Sequence, residues 1–330
     1  MREKITLAHG NGGEENNQLI KELFYKAFEN EILQKGEDAA IIEDGKLAFT
    51  TDSFTVSPLF FAGGDIGKLA ICGTCNDLAM MGAKPKYLTC SFILEEGFSI
   101  VALEKIVASM RKELALNGAT IVSGDTKVVP KGTVDKVFIN TTGIGEVQMH
   151  TMSANSITKE SLIIVSSDIG RHGATIFASR EGIELGGRLQ SDALSLYPVV
   201  ARLLQEKCNI MAMRDATRGG LSAVLNEWAT QSNVCIEIEE ESIPISEEVM
   251  GFCEMLGFDA NSLANEGTFV LAVAKEDAKR VLELLREYNP NAALIGKVTQ
   301  REPKRVILNS AWGTRKFLDT PTGELLPRIC

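Results

Sequence analysis

Tryptophan and histidine are scarce in this chain, with two and three residues out of 330. None of the histidines (His9, His150, His172) stands at a zinc-site spacing from a cysteine, which excludes a structural zinc centre. Basic charge is also in deficit. Lys and Arg total 34 against 44 Asp and Glu, for a net charge of −10. No surplus exists to neutralise a phosphate backbone, so nucleic-acid binding is excluded, although metal ions held by carboxylates still allow nucleotides. No segment approaches the ~18 uninterrupted apolar residues of a membrane helix. The opening "MREKITLAHGNGGEENN" has no apolar run and no small-residue cleavage site, so no secretory signal is expected. The nucleotide cradles G-x-x-x-x-G-K-[ST] and G-x-G-x-x-G after a strand are missing too.

What is present is the composition of a soluble globular protein, 45% hydrophobic and 24% charged. Seven cysteines without framework spacing read as reduced thiols, as in a cytoplasmic protein. The first half predicts β-β-α-β-α-β-β, with a hairpin around "EDGK", a helix closing at Gly82 and another running from Ser99 to Gly118. "QMHTMSANSITKESL" turns polar and marks a joint at about 148–160. Strands and helices resume beyond it, so the fold class is α/β (α+β). Past about residue 310 the period fades among Gly and Pro breakers, which predicts a tail that is mobile unless something docks it. That tail, "GELLPRIC", ends in Cys330. A prenylation signal would place the cysteine fourth from the end, so that reading is excluded.

Candidate chemistry lies in short acidic and glycine-rich turns. They are "GEDAA" (Asp38), "TTDSF" (Asp52), "CNDLAMMGA" (Asn76, Asp77), "SGDTKV" (Asp125, Thr126, Lys127) and "DATRGG" (Asp215 to Gly220). Oxygen ligands of this kind suit magnesium, and glycine-rich turns at helix starts can aim N–H groups at phosphate. Singly, each turn reads as a structural cap; five in one chain favour a shared site. Cys72 and Cys75 form C-x-x-C inside an apolar helical pattern and read as core. His9 and His172 could cap or touch a phosphate, and the structural role is favoured for His172.

Together with "TTDSFTVSPLFFAGGDIGKLAICGTCNDLAMMGAKPKYLTCSFILEEG", "IVSGDTKVV", "RDATRGGL", "ANEGTF" and the terminal "PRIC", these turns resemble the HypE family of hydrogenase-maturation proteins. The likeness runs in order along essentially the whole chain, and the terminal Cys is its most selective feature. It implies a PurM-like two-domain fold related to aminoimidazole ribonucleotide synthetase. An N-terminal domain (1–150) pairs across a two-fold axis into a dimeric barrel, and a C-terminal α/β domain (151–310) and a tail (311–330) follow. The implied activity is ATP-dependent dehydration of a carbamoyl group on Cys330 to a thiocyanate. The carbamoyl group is received from the carbamoyltransferase HypF, and the cyanide goes to iron on the HypC–HypD complex for a [NiFe]-hydrogenase. The implied cofactors are ATP and Mg2+. Asp38, Asp52, Asn76, Asp77, Asp125, Thr126, Gly12 and Gly13 would bind nucleotide, with Asp38, Asp52, Asp77 and Asp125 on the metal. Glu266 would act as base, with Lys127 beside the phosphates. Two alternatives stand beside this reading: another PurM-like enzyme of the selenophosphate synthetase or thiamine-monophosphate kinase type, and a carrier that presents Cys330 without catalysis.

Overall fold

The computed structural model describes residues 4–149, 152–183, 188–323, 326 and 328–330. The joint expected at 148–160 and the expected tail therefore fall partly outside the described residues. After α1 (Glu14–Leu19), the hairpin β1 (Ala40–Ile42) and β2 (Leu47–Phe54) forms around "EDGK", with Ala40 opposite Phe49. A small pair, β3 (Phe60–Phe61) and β4 (Gly64–Asp65), leads into α2 (Ile66–Met80). Asp65 caps that helix by accepting from Gly67 N and Lys68 N. Nearly every residue of α2 is buried, because the helix packs on β2 in one unit and on later elements of the other.

Strand β5 (Ala83–Glu95), helix α3 (Ile100–Asn117), β6 (Thr120–Val129) and β7 (Val137–Val147) complete the first unit. Ser99 caps α3 and Gly118 closes it in the left-handed region, as the sequence predicts. The sheet order is β1-β2-β7-β5-β6. Only β5 and β6 are parallel, joined by the α3 crossover that parallel pairing requires. Strand β6 is the outer edge and is exposed along almost all its length.

The second unit runs β8 (Leu162–Val165), α4 (Arg171–Glu181), α5 (Tyr197–Gln205), β9 (Ile210–Asp215), α6 (Gly220–Gln231), β10 (Cys235–Glu239), α7 (Glu247–Leu256), β11 (Phe269–Val273), α8 (Ala278–Tyr288), β12 (Ala293–Thr299), β13 (Arg305–Asn309) and β14 (Arg315–Phe317). Its sheet order is β14-β13-β10-β12-β8-β11-β9. Strand β11 lies inside the sheet and is buried at every position, hence its unbroken apolar run "FVLAV". The sequence reading missed α1, β13 and β14, whose signals are short and sit beside Gly and Pro breakers. One hydrophobic core runs through both units, from Phe54, Ile66 and Leu88 to Val165, Phe252 and Val270, and includes Leu326 and Ile329 of the tail. Among the described residues, no helix is long and apolar enough to cross a membrane.

Candidate active site

Four carboxylates from separate elements gather here, with Asp77 within electrostatic reach of the other three. They are Asp38 just before β1, Asp52 on β2, Asp77 on α2 and Asp215 at the end of β9. Burial is the main cause that raises each of them. Asp38 and Asp77 are pushed well above the usual carboxylate range, and repulsion from neighbouring carboxylates adds to the effect. Asp215 is pushed up to about 7. Asp52 rises less, since a hydrogen bond with Asp77 and the charge of Arg218 oppose its burial. Positive charge is short here. Arg214 Nε stands 2.9 Å from Asp38 Oδ1, but its Nη1 is taken by Glu227 Oε2 at 2.7 Å. Thr50 Oγ1 donates to Asp77 Oδ2 at 2.7 Å, while Asp38 Oδ2 is buried with no partner.

Cys330 faces this cluster, and its thiol feels Arg218, Glu266, Asp52 and Asp215. Residues 328–330 are fixed from several sides. Thr55 donates its N–H to Cys330 O at 2.8 Å and its hydroxyl at 3.2 Å. Arg328 O accepts from Arg180 Nη2 at 3.0 Å and from Ser57 N at 3.3 Å. The Arg328 side chain donates to Thr55 O at 2.9 Å and pairs with Asp135 Oδ2 at 2.7 Å. His172, fully buried, holds Ile329 O at 2.7 Å through Nε2 and Ser191 Oγ at 2.7 Å through Nδ1. A carbonyl only accepts, so Nε2 carries the proton and Nδ1 accepts from the serine. Burial lowers the histidine's pKa, in keeping with that neutral form. The tail expected to be mobile unless docked is docked here, by residues far away in sequence. Burial pushes the Cys330 thiol up to about 12, against the opposing charge of Arg218.

Glu266, in the loop before β11, is 3% exposed. Its carboxyl is pushed well above the usual range, first by burial, then by Asp215, Asp192 and Asp52, with Arg218 opposing. Gly12 packs against Arg218 and Gly13 against Pro321. Gly12 has φ +73, and a Cβ there would lie 2.7 Å from Arg218 O, so only glycine lets the N-terminal segment close on the "TRGG" turn. Arg218 Nη1 donates to Gly10 O at 3.1 Å, and Glu14 N to Pro321 O at 3.0 Å, tying this segment to both turn and tail.

Other expected residues stand elsewhere. Asp125 and Lys127 pair with each other at 2.7 Å on β6, both exposed, and Thr126 lies between them on the same exposed edge. Asn76 is buried, its amide spent on Leu194 O at 3.0 Å and Leu196 N at 2.8 Å. Cys72 and Cys75 are buried in α2 and their thiols are raised by burial, as core residues. Sequence reasoning named Asp215 as the start of a candidate turn without giving it a role, and it did not single out Arg218 or Asp192. The first two sat in a turn already noted, "DATRGG", while "QSDALSL" around Asp192 gave no signal.

The family model described as AIR synthase related protein, N-terminal domain, matches residues 36–147, and the corresponding C-terminal domain matches 158–309. Carbamoyl dehydratase HypE of Escherichia coli (strain K12) is 46% identical over 99% of this chain and 99% of its own. The enzyme of the same name from Rhizobium leguminosarum bv. viciae is 43% identical over 99% and 95%. A solved HypE–HypF complex superposes with a TM-score of 0.88 at 44% identity, covering 92% of this chain and 99% of that one. HypE in complex with ATP gives 0.84 at 43%, covering 99% and 100%. Thiamine monophosphate kinase from Aquifex aeolicus, at 19% identity and a TM-score of 0.68 over 92% of this chain and 99% of that one, shares the fold alone.

Proposed function

The chain belongs to the HypE family of carbamoyl dehydratases, and from that premise we propose how its own residues carry the reaction. The protein is an ATP-dependent carbamoyl dehydratase acting on its own C-terminal cysteine in hydrogenase maturation, and HypF is the partner that loads it. The observation that carries the residue assignment is the docking of Cys330 against Glu266, Arg218 and the carboxylate cluster.

The net change is S–C(=O)–NH2 plus ATP to S–C≡N plus ADP, phosphate and a proton. The carbamoyl oxygen takes the γ-phosphoryl group, which turns a hydroxide-like leaving group into phosphate. The nitrogen then gives up its two protons as the C–O bond breaks. Such a transfer needs positioning and charge neutralisation more than covalent help. Glu266 takes a proton from nitrogen; burial, then the neighbouring Asp215, Asp192 and Asp52, raise its affinity for protons, against Arg218. Arg218, whose charge is favoured by Cys330 and then by Asp52 and Glu266, faces the oxygen where charge grows.

Among the described residues, no three His, Cys, Asp or Glu side chains stand together as a ready metal site. The oxygen-only donor set, its mutual repulsion and the unpartnered Asp38 Oδ2 nevertheless fit a hard dication that completes its shell elsewhere. Asp38, Asp52 and Asp77 would hold Mg2+, which when bound neutralises phosphate charge. Asp125, Thr126 and Lys127 sit on the exposed β6 edge, so in our reading they enter a site only when that edge pairs with a second copy. Cyanide transfer to iron on HypC–HypD completes the proposed sequence, in the cytoplasm.

Mass spectrometry of the terminal peptide tests this reading after incubation with HypF, carbamoyl phosphate, ATP and Mg2+. A carbamoyl adduct on Cys330 that loses one water, and persists in Asp77→Asn, is the expected result. An adduct that loses water equally in Asp77→Asn would remove the carboxylate cluster from the mechanism.

A further inference from the structure

Residues 191–196, between α4 and α5, have no regular secondary structure, yet they are bonded on every side. Ser191 Oγ accepts from Ala193 N at 3.0 Å and donates to His172, whose far side holds Ile329 O of the tail. Leu194 N donates to Glu266 O at 3.2 Å. Leu194 O and Leu196 N are both taken by Asn76, the neighbour of Asp77. Ser195 Oγ donates to the buried Glu113 Oε2 at 2.7 Å and accepts from Asn117 at 2.7 Å, fixing the strap to α3.

Asp192 is the centre of this strap. It is 7% exposed. Its Oδ1 accepts from Glu266 N at 3.1 Å, and its Oδ2 accepts from Gly267 N at 3.0 Å and Thr268 Oγ1 at 2.8 Å. One carboxylate thus holds three successive donors of the loop that carries Glu266, and charge-assisted bonds of this kind are the strong ones. The two backbones also touch. A Cβ on Gly267 would lie 1.8 Å from Asp192 O, so neither segment shifts without the other.

We propose that Asp192 is a positioning residue for Glu266, and that the strap 191–196 aligns this base with the docked tail and with Asn76. The proposal rests on the reading of Glu266 as base. Asp192 does not reach the carbamoyl group in this assignment; it fixes where the Glu266 carboxyl stands when Ile329 is seated on His172. Misplacing a reacting group by about 1 Å costs on the order of 100-fold.

The test is single-turnover dehydration of preloaded Cys330, followed by mass spectrometry, in the full-length protein. Asp192→Asn is expected to slow conversion about 10- to 100-fold, leaving the ATP concentration for half-maximal rate within about twofold. Thr268→Val, which removes one of the three donors, is expected to slow it less, and it serves if Asp192→Asn does not fold. In a Glu266→Gln background, Asp192→Asn is expected to add nothing, because a positioning residue acts only through the group it positions. Full-rate conversion by Asp192→Asn and Thr268→Val, with Glu266→Gln slow, overturns the proposal. An equal slowing by Asp192→Asn in both backgrounds overturns it too, since the effect would be general structural damage. Full-rate conversion by Glu266→Gln alone would instead remove the base assignment on which it rests.

Discussion

The docked tail makes a quantitative prediction about the reactivity of Cys330. Its thiol pKa is pushed from the usual 9.0 up to about 12, so at any pH below 9 the docked thiolate is rarer than that of a free tail by about 10³. Alkylation therefore proceeds through the undocked tail, and its rate reports the open fraction. His172→Leu removes the donor to Ile329 O, whose bond is 2.7 Å, and leaves a buried carbonyl unpaired. Leaving such a group unsatisfied costs about 1–3 kcal/mol, which is roughly 5- to 150-fold in the docking equilibrium. Iodoacetamide labelling of Cys330, resolved by peptide mass spectrometry, is expected to speed up by that factor in His172→Leu. The raised thiol also sets a pH dependence. Docking favours the protonated sulfur, so it is at full strength below pH 9 and weakens as pH climbs towards about 12. Wild-type labelling as fast as that of a free peptide "GELLPRIC" at pH 7.5, with no change in His172→Leu, would refute the docked arrangement as the dominant state.

Further outcomes follow from the carboxylate cluster. Asp77→Asn is expected to slow dehydration at least about 100-fold while raising the melting temperature of the ligand-free protein, because the substitution relieves repulsion with Asp52, Asp215 and Asp38. Asp215 has a native pKa raised to about 7, so it contributes stability that is full below pH 3.8 and lost as pH rises through 7. Urea titrations should show the ligand-free protein less stable at pH 8 than at pH 6, with about 1 kcal/mol of the difference removed in Asp215→Asn. Arg214→Met leaves Asp38 and Glu227 without their buried partner and is expected to cost about 3–5 kcal/mol in the same assay.

The local part of the fold was legible because its causes are local. Ser99 and Gly118 bound α3, and Asp65 caps α2, through bonds made within a few residues. The "EDGK" hairpin is equally self-contained. The acidic turns could be collected as a set, and Asp77 does lie within reach of both Asp38 and Asp52. What stayed hidden depends on chain crossings. Seating the tail needs Thr55, Asp135, His172 and Arg180, which precede Cys330 by 150 residues or more, and no periodicity announces such pairings. Asn76, which the resemblance placed with the nucleotide ligands, sits one residue from Asp77 on the helix, turned by about 100°, and its amide bonds the strap.

The same electrostatics that silence the thiol suit the later sulfur species. Thiolate is disfavoured in the dock first by burial and then by the negative charge of Glu266, Asp52 and Asp215, against the opposing charge of Arg218. An S-carbamoyl group and an S-cyanide are both neutral at sulfur, so neither meets that repulsion. The loading step proposed above needs the nucleophile, and thus the undocked tail, where the thiol keeps its ordinary acidity. Once carbamoylated, the tail enters the cluster without the charge penalty, and the amide-like group meets Arg218 and Glu266 there. Release then calls for a partner that draws the tail out, since the neutral thiocyanate has no repulsion to expel it. In this reading the fold sorts the states of one sulfur by charge, with the hydrogen bonds to Ile329 and Cys330 common to the docked ones.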